Sequence, residues 1–304
     1  MSKHKTSIGG QALIEGIMMK GPKVTAVAVR RPDGEIEVKT EDTKKNPVAK
    51  IPVLRGVWGF LDSLIGGYNY LMYSADIAMQ DTEPDKLEKW LVDKFGKKAS
   101  DFLLMVAGVL GGMLALVLFM VLPTVITGLI DKVVPLGALK ATVEGVIKMT
   151  IFFCYMWGVT FVEDVKRLFM YHGAEHKTIA CYEAGEELTV ENVRKYSRFH
   201  PRCGTSFLFI VVIVSIIIFS FVPWTSTMAR VGLKLLLLPI VVGIAYEILK
   251  FTGKHDNACT KMLASPGMFF QKFTTKEPDD DMIEIAIAAM TPVIPQSKEE
   301  DKWQ

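Results

Sequence analysis

The sequence predicts a mainly α-helical fold: a polytopic membrane helix bundle of about four spans, with a small N-terminal β-hairpin element and cytoplasmic helices. Half of the 304 residues are hydrophobic and the mean hydropathy is +0.29, and the apolar residues gather into long stretches instead of recurring at a helical period. Several stretches approach the roughly 20 residues a helix needs to cross hydrocarbon. Lysines and arginines collect beside one end of each stretch, the pattern of segments retained in the cytoplasm.

Residues 1–50 read as a cytoplasmic Gly-rich loop followed by a β-hairpin. The run from Gly9 to Pro22 is dense in glycine and has no clean period, so its glycines are expected to serve turns or close backbone approach. Residues 24–30 and 35–39 alternate apolar and polar around Arg31-Pro32-Asp33-Gly34, with Pro and Gly where a β-turn wants them. No cleavable signal peptide is expected, because the first apolar residues are broken by Glu15 and Gly16.

Residues 51–100 are expected to form interfacial or re-entrant amphipathic helices. Trp58, Phe60, Leu64, Tyr68 and Leu71 are interrupted by Arg55, Asp62 and Asp76, and Gly66-Gly67 is expected to break the middle. A crossing here would place the basic residues before it opposite the lysines of residues 86–98, against the charge rule.

Residues 101–162 carry the first two spans. The first covers about 102–130, with Gly108, Gly111 and Gly112 suited to close helix contact and Pro123 to a kink. The second, about 146–161, recruits Lys148 and Glu144 near one boundary. Residues 206–251 hold the third and fourth, about 207–224 and 231–251, with Pro239 inside the last and Glu247 near its end, where Lys250 offers a local partner. Short connectors pair neighbours antiparallel. Both termini and the central loop, residues 163–205, are therefore expected in the cytoplasm. Residues 252–304 form a cytoplasmic C-terminal region: Pro278-Asp279-Asp280-Asp281 signals a helix start, Pro292 a stop, and residues 297–304 read as a disordered tail.

A net charge of +2, without basic runs, excludes a nucleic-acid binder. Cys154, Cys181, Cys203 and Cys259 lack any C-x-x-C spacing, so neither a ribbon-type zinc site nor a disulfide framework is indicated.

The chemistry lies in His172-Gly173-Ala174-Glu175-His176, just beyond the second span. On a helix this H-x-x-E-H order places both imidazoles on one face, able to share a divalent metal, zinc above all, with Glu175 adjacent as general base toward a water. Gly173 weighs against the helix by about 1 kcal/mol relative to Ala. A third ligand is available from His200, Cys203, Glu183, Glu186 or Glu187, and using both His200 and Cys203 would close the shell into a structural site. Lys177, Arg198 and Arg202 are assigned to anionic lipid headgroups.

The segment from Gly9 to Pro22, the run Tyr171 to Lys177, the run His200 to Phe207, and Pro266-Gly267 through Pro278 together resemble the bacterial YqhQ family of multi-pass membrane proteins. The resemblance covers most of the chain. It implies a bacterial inner-membrane location and a general label as metal-dependent enzymes, without a reaction. Three functions are thus weighed: a zinc-dependent hydrolase facing the cytoplasm and acting on a lipid-linked or membrane-proximal substrate, a non-catalytic scaffold or assembly factor with a structural metal or none, and a transporter. The last is disfavoured because the spans show no inverted repeat of broken helices. The bilayer is the expected partner, and the glycine-containing spans allow a homo-oligomer.

Overall fold

A computed structural model describes residues 5–80, 90, 97–224, 226–255, 257–297 and 300–301. Packing divides the chain into two units: residues 1–80, 156–214 and 239–304 form the first, and residues 81–155 and 215–238 the second.

The first unit begins with a four-stranded antiparallel meander: β1 (Gly9–Leu13), β2 (Gly16–Lys20), β3 (Val24–Arg30) and β4 (Ile36–Asp42), in that order. The expected hairpin is β3–β4, closed by Gly34 at φ +91° in its turn. The glycine-rich run proves to be a second hairpin, β1–β2. Its two-residue turn is Ile14-Glu15, with Glu15 at φ +49°, and a Cβ on Gly16 would lie 2.6 Å from the Ala28 carbonyl oxygen. Side chains alternate across the sheet. Ile17, Met19, Ala26 and Ala28 pack on one face with residues of two helices, and Leu13, Met18, Val27 and Val29 on the other with Ile77. Burial on both faces explains why β2 lacks a clean polar alternation.

Helix α1 (Leu54–Ala78) runs unbroken through Gly66-Gly67, in place of the expected broken pair. The glycine there serves close approach: a Cβ on Gly67 would sit 2.7 Å from Gln11 Oε1 of β1. The remainder of the 51–100 expectation, residues 81–89 and 91–96 with Lys86, Lys89 and Lys94, lies outside the described residues.

Beyond it come α2 (Lys97–Leu116), a π-helical turn (Val117–Val121), α3 (Leu122–Val133), α4 (Lys140–Val159) and α5 (Glu163–Ala184). They are followed by α6 (Val190–Arg194), α7 (Gly204–Ser220), α8 (Thr227–Lys254), α9 (Ala258–Thr274) and α10 (Asp280–Met290). Among the described residues three helical stretches are long and apolar enough to cross a membrane: Met105–Val133, Gly137–Val159 and Thr227–Lys254. The fourth expected span, α7, is apolar but only 17 residues long.

Local chemistry accounts for several helix ends. Asn257 and Thr260 form a reciprocal capping box at α9, and α5 ends on Gly185 at φ +73°, whose amide reaches the Tyr182 carbonyl. Glu247 does not pair with Lys250. It accepts from Arg55 Nε at 2.7 Å and from the Val53 amide at 3.2 Å, because α1 brings a guanidinium within reach. The C-terminal stretch is not wholly a free tail: Asp301 is fully buried and accepts from Thr6 Oγ1 at 2.5 Å and Tyr182 OH at 2.8 Å. Residues 298–299 and 302–304 lie outside the described set.

In the second unit, polar side chains meet inside an apolar surround. Glu144, buried on α4, accepts from Thr124 Oγ1 at 2.6 Å, Arg230 Nη2 at 2.7 Å and Lys234. Lys148, one turn on, donates to Ser215 Oγ at 3.1 Å. Buried charges in such surroundings persist only when paired.

Candidate metal centre

The motif expected in a loop lies inside α5, a 22-residue helix whose sequence is polar on average yet whose central residues, from Tyr171 to Ile179, are mostly buried. Gly173 is what lets that helix sink into the unit: a Cβ there would run into the Lys276 carbonyl oxygen, in the segment joining α9 to α10. The helix-propensity deficit of glycine is thus the condition for burying the neighbouring imidazoles.

With the helix formed, His172 and His176 share a face, their ring centroids 4.3 Å apart. Cys203, immediately before α7, completes a cluster in which one nitrogen of each histidine and the cysteine sulfur all lie within 4.8 Å of one another. It is the one such three-residue cluster among the described residues.

Outer contacts aim these donors. His172 Nδ1 lies 2.9 Å from the Thr274 carbonyl oxygen, and His176 Nδ1 2.6 Å from that of Arg198. Each nitrogen must therefore carry the proton and donate, which leaves both Nε2 lone pairs free, the usual device for orienting metal-binding imidazoles. His172 Nε2 is 3.1 Å from Cys203 Sγ, and His176 Nε2 is buried without a hydrogen-bond partner. The Thr205 amide, in the first turn of α7, donates to the sulfur at 3.3 Å, so the positive end of a helix faces it.

Electrostatics follow the geometry. Burial opposes ionisation of Cys203, but His172 and His176 outweigh it and hold the thiol well below its ordinary value. Burial likewise opposes charge on His172, yet the neighbouring sulfur and Glu175 raise it to about 9. Glu175 is 5 % exposed, and burial raises its carboxyl despite both histidines. Its Oε2 has no hydrogen-bond partner, and its carboxyl packs on β1, where a Cβ on Gly10 would lie 2.8 Å from Glu175 Cδ.

His200 stands outside the three-residue set, although its ring is 5.7 Å from that of His176. Its Nε2 faces Glu183 Oε2 at 3.5 Å, an ion-pair distance too long for a good hydrogen bond, and burial lowers the imidazole below its ordinary value in spite of that carboxylate. Burial also works against charge on Glu183, but His200, Arg202 and the Thr6 amide at 2.8 Å outweigh it and hold the carboxyl low. Glu183 is thus engaged away from the cluster. Arg202 pairs with Glu183 and Lys177 with Glu277, so neither is reserved for lipid headgroups as expected from the sequence.

The residues that sequence reading missed are mostly backbone: the carbonyls of Thr274 and Arg198, the amide of Thr205, and the bare Cα of Gly10 and Gly173. Only the glycines leave a local signal. Their density around Gly9-Gly10 was visible, but not what approaches them.

Among known proteins, the chain is 35% identical to the "Uncharacterized protein YqhQ" of Bacillus subtilis (strain 168) over 303 residues, which is 97% of this chain and 95% of that one. No solved structure matches it. Residues 51–296, which include the whole cluster, match the family described as "Protein of unknown function (DUF1385)". On both grounds the chain belongs to the YqhQ family.

Proposed function

We propose that the protein is a zinc-dependent hydrolase of the bacterial inner membrane, acting at the cytoplasmic face on a lipid-linked or membrane-proximal substrate. The observation that carries the reading is the convergence of His172, His176 and Cys203, with both Nδ1 atoms committed to backbone carbonyls. Two imidazole nitrogens and one thiolate suit zinc, and three protein ligands leave a fourth position for water or substrate. The membrane-length helices and the lysines and arginines flanking them support the location.

Bound zinc supplies Lewis acidity, which makes a water nucleophilic near neutral pH. With zinc held by His172, His176 and Cys203, Glu175 would take up the proton of the attacking water on its unpartnered Oε2 and return it to the leaving group. Burial raises its carboxyl above the ordinary carboxylate value, the direction that favours taking up a proton. The walls of α5 and β1 exclude bulk water from the carboxylate, and Gly10, lacking a Cβ, leaves it room against the strand.

A second reading, a scaffold stapled by metal, draws on the burial of His176 and Cys203 at 1 % and 5 % exposure, and on the sequence distance the cluster bridges. Cobalt substitution of the purified full chain separates the two. Visible bands of a tetrahedral cobalt thiolate that shift on adding azide mark an open position and support catalysis. Bands indifferent to azide support the staple, and a protein that binds neither cobalt nor zinc removes both.

A further inference from the structure

Beside the cluster, in the same packing unit, lies a cavity of about 810 Å³, within the range of small-molecule sites. One wall is a single face of α9, on which Ser265, Met268, Phe269 and Lys272 recur at i, i+3, i+4 and i+7. Thr252 and Gly253, in the last turn of the membrane-length helix α8, line it too.

The polar lining is rich in cations and poor in anions. Glu183 already holds Arg202. Lys5 Nζ has only the Gly253 carbonyl at 3.4 Å, and Lys272 Nζ lies 5.1 Å from the Phe269 ring centroid, so among the described residues neither ammonium meets a carboxylate. His200 also lines the cavity, with Nε2 buried and lacking a hydrogen-bond partner. The same ring lies against His176 and so joins the cavity to the metal ligands.

Ammonium groups set against an apolar wall, at the end of a membrane-length helix, complement an anion carried on an apolar chain. We propose that this cavity binds the phosphate headgroup of a lipid-like amphiphile. Lys5 and Lys272 meet the anion, Phe199, Met268 and Phe269 meet the chain, and this amphiphile class is the substrate presented to the metal centre. The word substrate rests on the hydrolase reading; the binding does not.

The test is calorimetric titration of the purified full chain in detergent with short-chain phosphatidic acid, beside short-chain phosphatidylcholine and inorganic phosphate. Phosphatidic acid is expected to bind at least about tenfold more tightly than either control. The Lys5→Gln, Lys272→Gln double variant loses that preference while its melting temperature holds, since only two ammonium groups are replaced. The His176→Ala variant, which lacks a metal ligand, keeps the affinity, so the cavity and the metal reading fail separately. Equal affinity for phosphatidylcholine, or an unaltered double variant, overturns the proposal. Inorganic phosphate binding as tightly as the lipid overturns the amphiphile assignment, and loss of binding in His176→Ala overturns the cavity as a site of its own.

Discussion

His172 Nε2 lies 3.1 Å from Cys203 Sγ, joining the middle of α5 to the N-terminus of α7. No local rule connects these two positions. Replacing Cys203 with Ala removes the thiolate that draws a soft-to-borderline cation, and zinc affinity is expected to fall by more than about a hundredfold. Zinc per protein, measured by elemental mass spectrometry against a competing chelator, checks this. Retention of full stoichiometry in both Cys203→Ala and His176→Ala would remove the metal centre.

Gly173→Ala sets two effects in opposition. Alanine favours the helix by about 1 kcal/mol, but its Cβ collides with the Lys276 carbonyl oxygen, which is backbone and cannot rotate away. Overpacking of this kind typically costs about 1–3 kcal/mol, so the net effect is expected to be a lower melting temperature and weaker zinc binding. A variant more stable than the parent would show that α5 does not pack as closely as described.

Glu144→Gln tests the buried pairing of the second unit. The carboxylate is shared by Arg230 and Lys234, both fully buried, and removing it leaves two cations without their counter-charge. A loss of about 3–5 kcal/mol is expected, read as a shift in denaturation midpoint in detergent. A change under about 1 kcal/mol would mean that water reaches the cluster.

The β1–β2 turn gives a pH dependence. Burial works against charge on Glu15, but its bonds to Arg167 and Tyr171 outweigh it and hold the carboxyl below its ordinary 4.5. A depressed folded value adds stability above pH 4.5 and loses it as pH falls through that lower value. The parent is therefore expected to exceed Glu15→Gln by ~0.5–1 kcal/mol at pH 7, with the two curves converging in acid. Parallel curves from pH 7 to pH 3 would refute the pairing.

The long apolar stretches, the β3–β4 hairpin and the H-x-x-E-H order were legible because each is a local property: hydropathy summed along a helix, turn residues between alternating strands, and two histidines one turn apart. The sequence alone also named Cys203 among the few side chains able to join the two histidines. It misread Gly66-Gly67 as a break and Gly173 as a weakness, since a glycine's meaning depends on what approaches it. In α1 that is Gln11, and in α5 the Lys276 carbonyl. Only tertiary structure decided that Cys203 joins the two histidines while His200 turns to Glu183, that Glu15 belongs to Arg167 and that Glu247 belongs to Arg55. The reason is physical: covalent spacing sets which side chains share a helix face, whereas pairing between distant segments is set by packing, where a single close approach decides which donor reaches which acceptor.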